Sequence, residues 1–368
     1  MTPGPGQKGE WLLAWGRKVL APDTFERTLG AAEADVRHEL AAATDATEAR
    51  RMARGARWMF VRVLVAAMAQ DRAEARRGMR WWLLASPLLA VVVGAFGVAL
   101  TEGGRVPLAQ LVFLVVALGL GFTMASTPRR ILTLEAPAAG WLAVSAMAAV
   151  ALIGVSHGGA TRWLAIGPLM IQMTTLALPF VVLGLVGLLE RGRDRHALLL
   201  GIAAQAAVVA TADLVASLTF AAVAVVVGAV VGGRLRAWLP LAVVGSAGLA
   251  LAAVLDPMLA PVAHSEGVLG LFAQVSPALT VLGVVALGAA IVAPLMLLAR
   301  RPGVDAATRA LALVLALSLA LPALAATMVD TVVPLLGYSG STVVAAYLGL
   351  GALMSYERRA GERVTSSR

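Results

Sequence analysis

Residues 81–100 read WWLLASPLLAVVVGAFGVAL, twenty residues without a single charge. As a helix rising 1.5 Å per residue, this stretch is about 30 Å long, the thickness of a bilayer's hydrocarbon core. The pattern recurs down the chain, and predicts membrane-crossing helices over 81–100, 107–125, 136–155, 169–189, 196–210, 213–232, 237–255, 275–299, 308–328 and 341–355. The fifth and sixth come from one apolar run, 196–232, which is too long for a single crossing. Thr211-Ala212-Asp213 is the polar cluster within it, and Asp213 reads as a helix N-cap there. The fold class is therefore all-α: a polytopic membrane protein of about ten transmembrane helices.

Upstream of residue 81 the composition changes. Residues 1–80 hold 24 of the chain's 51 charged side chains. Glu10–Leu20, about 24–42 and about 46–77 read as amphipathic helices, the last with Met59, Val63, Val65 and Met68 among arginines, and they predict a small cytoplasmic bundle or a collar on the membrane surface. The expected domains are this helical region, 1–80, a membrane domain, 81–359, and a tail, 360–368. Met1–Gly9 is polar and Arg17 and Lys18 interrupt the apolar run after it, so no signal peptide is expected.

Charge placement sets the predicted orientation. Fourteen arginines, from Arg129 to Arg368, fall in alternate loops and the C-terminal tail, whereas the opposite loops hold only Arg105 and Arg162. This asymmetry predicts that both termini are cytoplasmic, and it accounts for a pI near 11 without nucleic acid as a partner. There is no cysteine, which excludes disulfides, thiol catalysis and thiolate metal sites.

On the predicted outer side the polar inventory is short: Glu102, Arg105, His157, Arg162, Asp213, Asp256, His264, Glu266 and Asp330. Ionisable groups next to apolar spans are costly, which makes them functional candidates. Arg162 stands out because it lies against the orientation bias, in the glycine-rich stretch GGATRWLAIG at 158–167, followed by Trp163. Its guanidinium fork suits phosphate or carboxylate.

GATRWLAIG followed by Gln172 resembles the outer loop and fourth helix of the SEDS family (shape, elongation, division and sporulation proteins, the RodA/FtsW group). That family reads GA-x-RW and then Q-P-S-E. Here the second motif is Gln172-Met173-Thr174-Thr175, without the proline or the glutamate. Ala212-Asp213-Leu214 stands where the family has P-D-L-G-T. Ala263-His264-Ser265-Glu266 resembles A-H-T-D, with Glu for Asp, and Pro334 to Thr342, PLLGYSGST, resembles P-F-I-S-Y-G-G-S-S.

The resemblance implies a peptidoglycan glycosyltransferase that polymerises lipid II, an undecaprenyl-pyrophosphate-linked disaccharide peptide, at the outer face of the bacterial cytoplasmic membrane. Its implied partner, besides membrane lipids, is a class B penicillin-binding protein. The implied catalytic residues are Glu266, as the base for the acceptor hydroxyl, and Asp213. Arg162, Trp163, Gln172, His264, Tyr338 and Ser341 would bind substrate, and Mg²⁺ or Mn²⁺ is a candidate ion for the leaving pyrophosphate. The departures keep two alternatives open. The stretch Asp256–Glu266 is short for a loop that shapes a glycan groove, which suits a non-catalytic scaffold or regulator of envelope synthesis. A flippase or transporter of lipid-linked precursors is the other.

Overall fold

The computed structural model describes residues 16–17, 20, 22–42, 45, 52, 55–56, 58–67, 81–102, 105–157, 160–166, 169–233, 235–255, 268–300, 303–327, 333–337 and 339–365. They fall into two compact units, Met1–Met79 with Ser126–Leu132, and Arg80–Ala125 with Thr133–Arg368.

In the smaller unit a helical turn at Pro22–Phe25 runs through a π-helical turn, Glu26–Gly30, into helix α1, Ala31–Ala42. A second apolar helix covers Trp58–Ala67. Phe60, Leu64 and Ala67, at helical spacing, join Leu20, Phe25 and Leu29 in one core, with Met59 and Val63 packed against it. Val65 points outward, and Met68 lies outside the described residues, as does most of Glu10–Leu20. Arg17 closes one side of this core, 3.5 Å from Glu33 and stacked 5.3 Å above the Phe25 ring.

The larger unit contains α2 (Trp81–Glu102), α3 (Arg105–Ser126) up to Ala125, α4 (Arg129–Ile153) from Thr133, α5 (Met173–Glu190), α6 (Asp194–Ala210), α7 (Leu214–Val227), α8 (Leu235–Leu255), α9 (Val268–Val275), α10 (Pro277–Arg300), α11 (Ala306–Ala325) and α12 (Gly340–Thr365). Helices stand at all ten predicted positions, with α9 as an additional short one. Among the described residues eight helices are long and apolar enough to cross a membrane, and α5 is the most buried of them. Leu108, Leu111, Val112, Val115 and Val116 on α3 are exposed at spacings of three and four. An apolar stripe turned outward is what lipid as solvent demands.

Small residues bring the helices together. A Cβ at Gly140 of α4 would stand 3.2 Å from the Gly184 Cα of α5, so these two backbones cross where side chains are absent. Tyr347 of α12 donates its hydroxyl to the Leu84 carbonyl of α2 at 3.1 Å, and Arg300 at the end of α10 lies 5.6 Å from the Trp82 ring at the start of α2.

Between α4 and α5 the structure departs from the expected loop. Residues 155–172 form a three-stranded antiparallel sheet in sequence order: β1 (Val155–His157), β2 (Ala160–Ile166) and β3 (Leu169–Gln172). Trp163 pairs with both Val155 and Gln172, and Ile166 pairs with Leu169. The expected fourth helix thus starts at Met173 rather than at 169. Gly158-Gly159 and Gly167-Pro168, which fall between the strands in sequence, lie outside the described residues.

Candidate functional site

The site grows from the break between α6 and α7. Helix α6 stops at Ala210, and Thr211 turns back on it, its hydroxyl donating to the Val208 carbonyl at 2.6 Å. Ala212 then takes a left-handed backbone conformation, φ 53°, which costs a non-glycine residue about 1 kcal/mol or more. Asp213 returns to extended backbone and caps α7, its Oδ1 accepting from the Ala216 N–H at 2.9 Å. Asp213 is the N-cap that the sequence predicts.

Its other carboxylate oxygen is also engaged. Gln172, the last residue of β3, donates its side-chain amide to Asp213 Oδ2 at 3.1 Å. Arg162, on β2, places Nε 3.9 Å from the same oxygen and donates through a terminal nitrogen to the Ala212 carbonyl at 2.8 Å. Only 12% of the Arg162 side chain and 6% of the Asp213 side chain are exposed. In so sheltered a place an ion pair is screened far less than at a surface, and losing one partner strands the other.

The start of α12 joins the same network. Ser339 caps that helix, with its hydroxyl 2.8 Å from the Thr342 hydroxyl. Ser341 accepts the backbone N–H of Gln172 at 2.9 Å. Just before it, Val333, Leu335 and Leu336 are buried, and Gln110 of α3 donates to the carbonyls of Leu335 and Gly337 at 3.3 and 3.4 Å. Gly94 of α2 makes room for this loop, since a Cβ there would collide with the Leu336 carbonyl.

The structure therefore brings together Arg162, Gln172, Asp213 and Ser341, with Trp163 in the adjoining sheet. His264, Glu266 and Tyr338 lie outside the described residues, as do Asp256 and Asp330. Sequence reasoning missed a set of hydroxyls under the network. Thr174, Thr175, Thr219, Ser318 and Thr342 line a cavity of about 60 Å³ that Asp213 and Gln172 also border. Thr174, Thr175 and Thr342 stand in the first turns of α5 and α12, within segments already singled out by resemblance, whereas Thr219 and Ser318 lie farther inside α7 and α11 and carry no sequence signal beyond a hydroxyl in an apolar run.

The surroundings of Asp213 disfavour a divalent ion on its carboxylate. Mg²⁺ and Mn²⁺ take oxygen ligands and free carboxylate lone pairs. Here Oδ1 and Oδ2 each already accept one N–H, a nearby guanidinium adds positive charge, and no cluster of three metal-binding side chains occurs among the described residues.

No family model matches the sequence, and no curated protein matches it. Solved structures do. The Rod shape determining protein RodA of Thermus thermophilus is 23% identical, with a TM-score of 0.61, over 76% of this chain and 97% of that one. An aspartate-to-alanine variant of the same protein matches equally well. A chain from a peptidoglycan synthase complex, described as coordinating polymerisation and crosslinking, matches at 20% identity and a TM-score of 0.56, over 76% of this chain and 98% of that one. Over about three quarters of its length the chain therefore has the polytopic helical fold of RodA.

Proposed function

We propose that this protein is a peptidoglycan glycosyltransferase of the RodA/FtsW type, a lipid II polymerase at the outer face of the cytoplasmic membrane. The observation that carries the reading is convergence. Segments that resemble the SEDS motifs at 162–163, 172, 213 and 339–342 are far apart in sequence, yet meet in one hydrogen-bonded network on a RodA fold.

In this reading Glu266 removes the proton from the 4-hydroxyl of the acceptor sugar as that oxygen bonds to the anomeric carbon of the donor. The bond from that carbon to the pyrophosphate breaks, and the leaving group departs with the electron pair. Arg162 supplies positive charge for the leaving pyrophosphate. Asp213 and Gln172 act as positioning residues that fix the guanidinium, while Trp163, His264, Tyr338 and Ser341 border the substrate. The partner is a class B penicillin-binding protein, and both termini of the chain are cytoplasmic.

The test is lipid II polymerisation by the purified protein in liposomes, with and without a transpeptidase partner. Wild type is expected to make glycan chains and Glu266→Gln to lose at least about 100-fold of that rate, the scale of general-base catalysis. A folded wild-type protein that makes no chains under any condition would move the reading to a scaffold of envelope synthesis. The shortness of the stretch Asp256–Glu266 favours that second reading.

A further inference from the structure

The smaller unit has a face that its own core does not use. In the helix Trp58–Ala67, the side chains of Phe60, Leu64 and Ala67 are in the core. Trp58, Arg62 and Val65 stand on the other side of the helix, at spacings of four and three. Trp58 is 74% exposed and Val65 62%, with Arg62 and Ala66 exposed between and beside them. Seven residues of helix put about 10 Å between the tryptophan and the valine. A single exposed apolar side chain needs no explanation. A tryptophan and a valine bracketing an arginine on one stripe form a surface of mixed character, apolar at both ends and cationic in the middle.

The charge around that stripe has one sign. From Ala49 to Gln70 the chain carries Arg50, Arg51, Arg54, Arg57 and Arg62, and no aspartate or glutamate. Helix α1 packs on the same core through Ala32 and Val36, and it carries Glu33, Asp35 and Glu39 against Arg37. The unit thus pairs a basic, tryptophan-bearing helix with an acidic one. Exposed charges act over about 8 Å at physiological salt, so whatever the basic helix attracts must lie close by.

The chain itself supplies that neighbour. Residues 126–132, which join α3 to α4, belong to this unit, and Arg130 among them donates to the carbonyl of Leu20, a core residue. Both α3 and α4 are long and apolar enough to cross a membrane. A unit built around the turn between two spans lies at the level of the lipid headgroups, where lipid phosphate is the nearest abundant anion.

We propose that the Trp58–Arg62–Val65 face lies on the membrane surface and binds anionic phospholipid headgroups. Trp58 seats its ring in the interfacial layer, the depth that tryptophan prefers. Arg62 offers a phosphate its paired N–H groups, and Val65 meets the boundary with the acyl chains. The neighbouring arginines add an attraction that grows with anionic lipid and falls with salt. Tethering to the bilayer through the unit's own residues favours lipid over an acidic protein as the occupant. The inference is independent of the polymerase reading.

The chain has no cysteine, so a single introduced one reports its own surroundings. Val65→Cys and Ala66→Cys are made in the full-length protein, with Ala34→Cys on the exposed side of α1 as the control. Each is labelled with an environment-sensitive fluorophore and reconstituted in liposomes of phosphatidylcholine, alone or mixed with phosphatidylglycerol. A phosphatidylcholine with a nitroxide near its headgroup serves as the quencher. In the anionic liposomes the labels at 65 and 66 are expected to be quenched severalfold more than the label at 34. That excess should shrink in phosphatidylcholine alone and in high salt. Arg62→Glu, read through the label at 66, is expected to remove most of the excess, and Arg62→Lys to keep most of it. Trp58→Ser, read the same way, should also lower it, so a poorly folded Arg62→Glu would not leave the question open. Equal quenching at 34, 65 and 66, or quenching indifferent to phosphatidylglycerol and salt, would overturn the proposal. So would labels at 65 and 66 that the nitroxide lipid does not reach and that are also shielded from acrylamide in the water, which would identify a protein surface as the occupant.

Discussion

Asp213 holds three elements at once, and its two oxygens do different work. Oδ1 caps α7, and Oδ2 binds Gln172 and faces Arg162. Asp213→Ala removes both functions from a sheltered site and is expected to lower stability by about 2–3 kcal/mol, read from thermal unfolding in detergent. Asparagine is as good an N-cap as aspartate, so Asp213→Asn should recover the capping share, about 1 kcal/mol, and not the charge. One residue earlier the expectation reverses. Ala212 lies at positive φ, and Ala212→Gly relieves a conformation that glycine adopts freely. It should raise the melting temperature by an amount equivalent to about 1 kcal/mol. The cap was legible in the sequence, because an acidic residue before an apolar run is a local signal. The Gln172–Asp213 bond was not, because its partners are 41 residues apart and nothing in either neighbourhood names the other.

Among the elements, the long ones were legible and the short ones were not. Twenty apolar residues admit few structures in a membrane, so the spans follow from hydropathy alone. Residues 155–172 are different. Their apolar runs are short, and periodicity alone does not separate a strand from the first turn of a buried helix. Leu169, Met170 and Ile171 read as the start of a span, yet pair as β3 with β2. The loop before α12 was legible as a motif but not as a buried segment. Its burial depends on Gly94 of α2, and Gly94→Val is expected to destabilise by about 1–3 kcal/mol by forcing that backbone apart. Limited proteolysis near residue 335 would report the displaced loop.

At the scale of the whole molecule, the arginine distribution makes a prediction independent of any site. If both termini lie on the cytoplasmic side, as the arginine asymmetry predicts, a reporter active only in the cytoplasm should work at the C-terminus, and one fused after Gly159 should not. A signal from the second fusion would invert the assigned orientation and remove the outer-face chemistry with it. The pairing at the outer mouth has one more consequence at this scale. Arg162 and Asp213 carry opposite charges 3.9 Å apart, so together they bring almost no net charge into the membrane's electric field. A transmembrane voltage does work only on charge that is displaced, about 2.3 kcal/mol per unit charge per 100 mV. If the pair moves as one body when substrate enters, the step is electrically silent, and a de-energised cell should retain it.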